Sequence, residues 1–377
     1  MDDPDDTDLG LAGLSPEFQA MIGGIEGHTA HFVKLIERRT QLSKEAAKKK
    51  DDEVYLESYG ELDIHEDMLK DRPRVEAYQK AIEFHGPAWK SKGDVSVVDV
   101  GAGTGLLSVF CARAGASKVH AVEASRLAYF CKQIAEANAP TGSIEVHEVR
   151  AEELDLGADQ KVDVIVSEWM GYFLLFENML PSVLSVRDRY LKPGGLMLPS
   201  RCRLHLAPLQ DGAWRDAKLD FWRSVSGIDM SALVPLATAT ACEKPQHRLV
   251  PVDGLIGPAM EILNLDLHTA KESDLRRFQA DLRFDVPPGG RLDGFASWFD
   301  CDFGEAPDKL STAPTAEPTH WRQTAFYFRQ PIEGGGGITI EGTVSVEIHE
   351  AFSRGYRVTF DLQAPGRKSR LESFELR

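Results

Sequence analysis

The strongest constraint on the fold is a rhythm of short apolar runs in the first half of the sequence. Four segments rich in valine, isoleucine and alanine lie at residues 95–101, 118–124, 144–149 and 162–168. The stretches between them are long enough for crossover helices. Strands that alternate with helices in this way build βαβ units. We therefore predict an α/β domain with a parallel sheet.

The character of the sequence changes near Pro199. Beyond it, alternating residues with Gly and Pro turns indicate strands, as in residues 201–206, 323–328 and 338–348. This pattern is typical of antiparallel sheets with one buried face. We therefore predict a second, mostly antiparallel domain, and the length of 377 residues, which exceeds the usual single core, supports two lobes.

Two segments interrupt the strand pattern of the second domain. Between residues 211 and 230, large apolar residues recur at helical spacing and predict a helical insertion. These residues are Trp214, Leu219, Phe221 and Trp222. Four consecutive glycines at residues 334–337 lie between strands, and no helix follows them. We interpret them as a flexible hairpin turn and not as a phosphate-binding loop.

Composition narrows the class of protein. No run approaches the ~20 apolar residues of a membrane span, and the N-terminus is acidic where a secretory signal is basic and then apolar. We expect an intracellular protein without a membrane partner. The net charge of -16 argues against direct nucleic acid binding and favours cationic partners. Because the five cysteines form no CxxC pair, we expect neither a disulfide framework nor a metal site.

The glycine-rich stretch VDVGAGTGL at residues 98–106 predicts a cofactor site. Glycine is needed where the chain turns sharply and a ligand approaches the backbone. A dinucleotide fingerprint requires glycine at position 106, which is Leu, and the acid Asp99 suits a positively charged ligand. S-adenosylmethionine carries an ammonium, a sulfonium and no phosphate. Glu123 ends the next strand, where a carboxylate can clamp ribose hydroxyls; a surface charge at a strand end is the alternative.

A second motif, SEWMGYFLLFE at residues 167–177, follows the apolar run that ends the first domain's strand pattern. It delivers two carboxylates, Glu168 and Glu177, among aromatic and aliphatic neighbours, and it contains no positive residue. Unpaired buried carboxylates are costly. The motif therefore predicts a site for a cationic ligand.

Together these motifs show that the chain resembles a protein arginine methyltransferase. Two further segments carry the resemblance: PTHWRQ at residues 318–323, and YLESY at 55–59 followed by IHEDMLKD at 64–71. The resemblance extends from about residue 53 to the C-terminus. It implies a Rossmann-like S-adenosylmethionine-dependent methyltransferase domain, then an antiparallel β-barrel domain with an inserted helical dimerisation arm, in a ring-shaped homodimer.

These implications divide the chain into three parts. Residues 1–52 form an N-terminal extension, acidic then basic, that is partly helical or disordered; residues 53–199 hold the lid helices and the cofactor domain; residues 200–377 form the β-barrel, with the arm at about 211–235. The Lys-rich segment at 44–50 is interpreted as a solvated helix face, with a docking element or a nuclear signal as alternatives. Two departures from the family are Leu56, where Phe is usual, and Pro73, which predicts a kink in the lid.

The resemblance also implies three groups of site residues. The catalytic residues are Glu168, Glu177, His320 and Asp71. The residues that bind S-adenosylmethionine are Tyr59, His65, Met68, Arg74, Asp99, Gly101, Gly103, Glu123 and Glu152. The residues that bind the substrate arginine are Tyr55, Met179 and Trp321.

Individual roles follow from the same resemblance. Arg74 pairs with the methionine carboxylate of the cofactor, Asp99 lies near its amino group, Glu123 holds the ribose and Glu152 contacts the adenine. The released proton passes to His320 and Asp71, and Trp321 walls the arginine tunnel. Plainer alternatives remain: core packing for the two tyrosines and the two methionines, a packed loop histidine for His320, and a solvated acid for Glu152.

The expected activity is transfer of methyl groups from S-adenosylmethionine to arginine in basic proteins, with S-adenosylhomocysteine as the by-product. A guanidinium presents a planar fork that two carboxylates can grip bidentately. The expected substrates are Gly/Arg-rich or histone-tail-like segments, in the cytoplasm or nucleus. By resemblance, Met68 and Met179 predict asymmetric dimethylarginine, since the symmetric class tends to carry Phe at the position of Met68.

Three alternatives stay open at the level of sequence. The chain could be a monomethylating enzyme, a small-molecule methyltransferase or a non-catalytic dimeric scaffold on the same fold. A small-molecule enzyme does not need the His320–Trp321 loop or the second domain. The presence of both Glu168 and Glu177 argues against a scaffold.

Overall fold

The computed structural model of the protein describes residues 44–157 and 159–377. Residues 52–377 form one compact unit. The predictions for residues 1–43 lie outside the described residues. The Lys-rich segment at 44–50 falls within a helix, as its interpretation as a helix requires. Within the described ranges, no helix has the length and apolar character needed to cross a membrane.

The described residues form nine α-helices and fifteen strands, joined by loops and short 3-10 turns. The helices are α1 Lys44–Ser58, α2 Leu62–Lys70, α3 Arg72–Lys92, α4 Leu106–Ala114, α5 Leu127–Asn138, α6 Leu180–Tyr190, α7 Gly212–Lys218, α8 Val234–Ala241 and α9 Glu272–Arg276. The strands are β1 Ser96–Val100, β2 Lys118–Val122, β3 Ile144–His147, β4 Val162–Val166, β5 Leu191–Leu198, β6 Arg201–Leu209, β7 Gln246–Arg248, β8 Met260–Asp266, β9 Arg277–Val286, β10 Arg291–Asp302, β11 Leu310–Ser311, β12 Gln323–Glu333, β13 Ile338–Ile348, β14 Tyr356–Gln363 and β15 Arg370–Leu376.

The first domain contains a five-stranded parallel sheet in the order β3-β2-β1-β4-β5. The four strands predicted from the apolar runs are confirmed, and every residue of β4 is buried. The chain runs outward from β1 to β3 and then returns to the other side of β1 with β4. This reversal of strand order opens a crevice at the carboxyl ends of β1 and β4, which is where open α/β sheets bind their ligands.

The second domain consists of two antiparallel sheets, as the alternating pattern predicts. One sheet has the order β7-β12-β10-β6-β8, with β11 paired to β10, and the other has the order β15-β14-β13-β9. The inner faces of these strands carry large buried aromatic residues. These include Phe295, Phe326, Phe328, Phe360 and Phe374. The aromatic rings contact one another edge-on or stacked, with centroids 4.8–6.2 Å apart, and join the two sheets into one core.

The glycine run at residues 334–337 is not a hairpin turn. It connects β12 to β13, but these strands lie in different sheets. The N–H of Gly334 donates to the carbonyl of Gly290 at 2.8 Å, and the N–H of Gly289 donates to the carbonyl of Gly335 at 2.9 Å. The run therefore packs against the turn between β9 and β10 as the chain passes from one sheet to the other.

The helical insertion follows β6, the first strand of the second domain, and extends through α8 to Ala241, beyond the predicted limit near residue 235. The sequence pattern groups Trp214 and Phe221 together, but the structure separates them. Trp214 is buried and stacks on Tyr327 with ring centroids 3.6 Å apart, whereas half of Phe221 is exposed. The first turns of the insertion thus belong to the core of the domain, and only the outer part presents apolar side chains to solvent.

The predicted kink at Pro73 is instead a boundary between two helices. Helix α2 ends at Lys70, and α3 begins at Arg72 with Pro73 in its first turn. Proline is tolerated there because the first N–H groups of a helix have no intrahelical acceptor. The side chain of Asp71 caps α3 by accepting a hydrogen bond from the N–H of Arg74 at 3.1 Å. This boundary aims Asp71 and Arg74 into the crevice of the parallel sheet.

Candidate active site

A cavity of about 830 Å³ lies at the carboxyl ends of the parallel strands, within the size range of sites for cofactors and small molecules. Its walls come from α1 to α3, the glycine loop that follows β1, the two-carboxylate loop between β4 and α6 (residues 167–179) and the loop before β12. The cavity brings together fifteen of the sixteen predicted site residues. They are Tyr55, Tyr59, His65, Met68, Asp71, Arg74, Gly101, Gly103, Glu123, Glu152, Glu168, Glu177, Met179, His320 and Trp321. Leu56, the departure in α1, also lines it.

The glycine loop forms one wall of the cavity because its backbone leaves no room for side chains. Gly101 and Gly103 have φ angles of 72° and 54°, which favour glycine. A Cβ atom on Gly101 would lie 2.4 Å from the Cε of Met179, and one on Gly103 would lie 3.1 Å from the Cε1 of His65. The bare backbone therefore lets a ligand approach closely.

Glu123 is held in place by the glycine loop itself. Its two carboxylate oxygens accept hydrogen bonds from the N–H of Gly103 at 2.8 Å and from the N–H of Ser125 at 2.7 Å. The residue is buried and lines the cavity. Each oxygen keeps a further lone pair, so the carboxylate can accept bonds from two neighbouring hydroxyl groups of a ribose.

Asp99 is the one predicted site residue that the structure does not bring into the cavity. It lies behind the glycine loop, where the hydroxyl of Ser108 donates to its Oδ2 at 2.6 Å. Its Oδ1 is buried and has no hydrogen-bond partner among the described residues. Burial raises the pKa of Asp99 to about 7, although the bond from Ser108 opposes this shift. The predicted contact with the cofactor's amino group has no direct geometric support here.

The two-carboxylate loop has an unusual backbone. Four of its residues adopt left-handed φ angles, which residues other than glycine seldom adopt. They are Phe173 at 54°, Leu174 at 64°, Glu177 at 73° and Asn178 at 49°. Each such conformation costs about 1–3 kcal/mol and persists only where the surroundings impose it. The loop therefore stores strain to aim the carboxylate of Glu177 into the cavity.

A segment that no sequence motif identifies supports this strained loop. The N–H of Glu177 donates to the carbonyl of Arg354 at 2.9 Å, and the Nη1 of Arg354 donates to the carbonyl of Glu177 at 2.6 Å. Asn178 is held by the carbonyl of Ser353 at 3.0 Å and by the hydroxyl of Tyr356 at 2.9 Å. These residues lie about 177 positions from the loop they hold, so only the fold reveals them.

The two carboxylates differ in their partners. Glu168 accepts bonds from the Nε and Nη2 of Arg74 at 2.8 and 2.7 Å. Glu177 accepts a bond from the hydroxyl of Tyr59 at 2.6 Å. Burial raises the pKa of Glu177, and the neighbouring charge of Glu168 adds to the shift, whereas the bond from Tyr59 lowers it. Arg74, predicted to bind the cofactor's carboxylate, thus pairs with Glu168 in this structure.

This pairing leaves the two carboxylates with an excess negative charge between them. Arg74 compensates one of the two carboxylates when both are ionised. Arg354 also lies near Glu177, but its guanidinium forms an ion pair with Asp52 at 2.9 Å and lies 3.7 Å from the ring centroid of Tyr55. A cation that enters beside Glu177 therefore meets a charge that the described residues only partly compensate, in a partly dehydrated setting where electrostatic attraction is strong.

His320 and Asp71 form a hydrogen-bonded pair at the cavity wall. The Oδ2 of Asp71 accepts from the backbone N–H of His320 at 2.8 Å and lies 2.6 Å from its Nδ1. Burial alone would raise the pKa of Asp71, but the bonds from His320 and Arg74 lower it overall. Trp321 is buried beside them, and its Nε1 donates to the carbonyl of Met170 at 2.9 Å. The pair and the indole thus have fixed positions next to the carboxylates.

The remaining predicted residues complete the wall. Tyr55 in the last turn of α1 and Tyr59 just after the helix contact each other, with ring centroids 4.7 Å apart. Glu152 is exposed at the cavity rim and accepts a hydrogen bond from the hydroxyl of Ser182. Met68 and Met179 both line the cavity. Ring packing and ligand contact are therefore compatible for the two tyrosines.

Comparison with known proteins agrees with this geometry. A methyltransferase-domain model matches residues 97–195, and the model of the arginine methyltransferase oligomerization subdomain matches residues 200–366. The chain is 40% identical over 342 residues to the probable protein arginine N-methyltransferase 6.1 of Oryza sativa subsp. japonica. The matched residues cover 84% of this chain and 86% of that relative. It is 37% identical over 308 residues to protein arginine N-methyltransferase 1 of Saccharomyces cerevisiae, which covers 81% and 86%.

Solved structures give the same result. The Trypanosoma brucei protein arginine methyltransferase 1 enzyme–prozyme heterotetrameric complex with AdoHcy has a TM-score of 0.75 at 31% identity, covering 85% of this chain and 100% of that chain. Protein arginine methyltransferase 10 of Arabidopsis thaliana has a TM-score of 0.72 at 31% identity, covering 86% and 100%. Motifs, fold and relatives thus agree, and the chain belongs to the protein arginine N-methyltransferase family.

Proposed function

We propose that this protein uses Glu168 and Glu177 to hold the guanidinium of a substrate arginine and dimethylates it asymmetrically. As a member of its family, the protein is an enzyme that methylates arginine and takes S-adenosylmethionine as its cofactor. The observation that supports the proposed grip is the excess negative charge beside Glu177. Arg74 pairs with Glu168, and among the described residues of the cavity Glu177 has no such cationic partner of its own apart from the more distant charge of Arg354. The planar fork of a guanidinium matches this arrangement better than a compact ammonium does.

The residues of the cavity fit the cofactor. The side-chain-free backbone at Gly101 and Gly103 and the buried carboxylate of Glu123 provide a cradle and a ribose clamp. Glu152 at the rim offers an acceptor for the adenine amino group. When bound, S-adenosylmethionine supplies an electrophilic methyl group on a sulfonium. Tyr59, His65 and Met68 close the site from the side of the lid helices.

The carboxylates also address the weak nucleophilicity of arginine. A guanidinium delocalises its charge over three nitrogens, so no nitrogen has a localised lone pair. Carboxylates placed against some of the nitrogens draw the positive charge towards them and leave more lone-pair character on the remaining one. Fixed orientation of that nitrogen can itself contribute about 7–11 kcal/mol to the barrier reduction. His320 accepts the proton released on transfer, and the carboxylate of Asp71 stabilises the resulting imidazolium.

The variant Glu177→Gln tests the role of the carboxylate pair. It keeps the shape of the side chain and removes its charge, so turnover should fall about 100-fold or more, as for other lost electrostatic contacts in active sites. Cofactor binding, measured by calorimetry, should stay nearly unchanged. Turnover is followed by mass spectrometry of a Gly/Arg-rich peptide. Undiminished methylation by the variant would contradict the proposed grip.

The proposed product rests on Met68 and Met179. Their flexible side chains let a monomethylated nitrogen remain in position for a second transfer. Fragmentation spectra separate the products, because asymmetric dimethylarginine loses dimethylamine and the symmetric form loses monomethylamine. Met68→Phe should lower the dimethyl-to-monomethyl ratio by crowding that nitrogen. Leu62→Phe is a matched control on the same helix, since Leu62 is exposed and does not line the cavity. A wild-type enzyme that gives the symmetric form, or only monomethylarginine at long incubation, would contradict the proposal.

We also propose that the helical insertion docks on a second copy of the chain. Its outer part exposes Phe221, Ile228 and Leu236, and the first domain exposes Tyr129 and Phe130 on α5. Two apolar faces on one chain that cannot both remain in water favour pairing between copies. A net charge of -16 suits basic substrates such as Gly/Arg-rich segments and histone tails, because it draws cationic peptides towards the enzyme.

A further inference from the structure

Three side chains with metal-binding groups meet on the parallel sheet, and none of them lines the cavity. They are His120 on β2, and Glu145 and His147 on β3. In the parallel register, His120 pairs with Glu145 and Val122 pairs with His147. Paired residues, and residues two apart on one strand, point to the same face of a sheet, so the sheet itself places all three groups together.

The distances between the donor atoms suit a small cation. The Nδ1 of His120 and the Nε2 of His147 are 3.0 Å apart. The Nδ1 of His120 lies 4.0 Å from the Oε2 of Glu145, and the Nε2 of His147 lies 4.0 Å from its Oε1. One ligand atom from each residue lies within 4.8 Å of the other two, so a modest rotation of the exposed Glu145 side chain is enough to reach the Zn–N and Zn–O bond lengths of about 2.0–2.2 Å. His120 is buried, His147 is partly buried and Glu145 is exposed, so a fourth position can open to water.

We propose that His120, Glu145 and His147 form a binding site for a divalent transition-metal ion of the zinc type. Two imidazoles and one carboxylate are a ligand set that zinc uses in proteins, whereas Mg²⁺ and Ca²⁺ prefer oxygen ligands. The two imidazoles share a hydrogen bond in which one ring nitrogen donates its proton and the other accepts with its lone pair. Metal binding replaces this bond, and the donating ring keeps its proton by moving it to its other nitrogen.

The site would join the edge strand β3 to β2 at a point close to the cofactor cavity. The N–H of Glu123 donates to the carbonyl of His147 at 3.0 Å, so one metal ligand also anchors the residue that clamps the ribose. Lys118 competes for the site, because its Nζ lies 2.8 Å from the Oε2 of Glu145. Removal of this lysine should therefore strengthen metal binding.

Titration of the purified full-length protein with Co²⁺ and Zn²⁺ tests the proposal. Co²⁺ should give visible d–d bands of four-coordinate intensity, Zn²⁺ should displace it at one equivalent, and Mg²⁺ should not compete. Glu145→Gln and His147→Gln should each weaken Zn²⁺ binding by more than the roughly 10- to 100-fold effect of a lost outer-shell partner. Lys118→Met should tighten binding in the wild-type background but not in the Glu145→Gln background.

The controls separate this site from other histidines. His268→Gln removes a partly exposed histidine that also lies beside an acid, and His28→Gln combined with His31→Gln removes the pair near the N-terminus. These variants should bind Zn²⁺ as the wild type does. Circular dichroism without metal establishes that Glu145→Gln, a change of an exposed side chain, remains folded. Unchanged affinity in a folded Glu145→Gln variant, or loss of binding in either control, would overturn the proposal.

Discussion

Arg354 offers the sharpest test of how the fold controls the catalytic loop. Its guanidinium donates to the carbonyl of Glu177 at 2.6 Å, where the backbone has a φ of 73°. Substitution by Met keeps most of the aliphatic stem and removes the charged donor. Asp52 still has an ion pair with Arg150 at 2.8 Å, so the change does not leave that carboxylate without a partner.

The size of the effect follows from the lost hydrogen bond. Bonds that involve a charged group contribute about 1.5–3 kcal/mol, and the contact between Arg354 and the ring of Tyr55 adds about 0.5–2 kcal/mol. Only part of this energy holds the left-handed conformation of Glu177. If about 2 kcal/mol is lost from the productive loop, kcat falls roughly 30-fold, because each 1.36 kcal/mol corresponds to a factor of ten.

Steady-state methylation of a Gly/Arg-rich peptide measures this loss, and calorimetry measures cofactor binding in parallel. We expect Arg354→Met to lower kcat about 30-fold and to change cofactor affinity little, since the glycine loop and Glu123 are untouched. Arg357→Met is the matched control. Arg357 lies three residues after Arg354 on the chain, and its guanidinium forms an ion pair with Glu375 and does not contact the loop. A kcat within threefold of wild type for Arg354→Met, or an equal loss in the control, would refute the reasoning.

Two other variants test the charge and the assembly of the enzyme. Tyr59→Phe removes a hydrogen bond that lowers the pKa of Glu177, so this pKa, which burial already raises, should rise further. The acid limb of the kcat/KM profile should therefore move to higher pH, and the alkaline plateau should be retained. An unmoved acid limb would show that another group controls it. Phe221→Glu combined with Leu236→Glu should give monomers by light scattering, while Leu371→Glu, an exposed position in the second domain, should stay dimeric; a dimeric double variant would exclude the insertion as the interface.

Short apolar runs were sufficient to predict the parallel sheet, and the glycine stretch, Glu123 and the two carboxylates of residues 167–177 were identified as site residues from the sequence pattern, whereas most other cavity residues were implied by the family resemblance. These signals are local: a buried strand such as β4 is a continuous run of apolar residues, and a loop such as residues 98–106 carries its geometry in its glycines. The same local reasoning failed at residues 334–337, because a turn signal marks a change of direction without telling which sheet receives the next strand.

Long-range partners were beyond the reach of the sequence. The support that Arg354 and Tyr356 give to the two-carboxylate loop depends on packing between segments about 177 positions apart. Asp99 precedes the glycine loop in a way that suggests a ligand contact, yet strand alternation turns its side chain towards Ser108. The cysteine pattern gave no sign of the cluster around His120, since its three residues come from two strands and share no spacing motif.

At position 177, selection for stability and selection for catalysis favour different residues, because the backbone there is left-handed. Glycine and asparagine adopt such a conformation at lower cost than glutamate, so either substitution would relieve up to the 1–3 kcal/mol that the backbone stores there. A screen for heat resistance alone should therefore enrich Glu177→Gly, and the surviving proteins would fold better and methylate poorly. Glutamate at this position thus lowers the stability of the fold, and its presence is explained by the need for its carboxylate in catalysis.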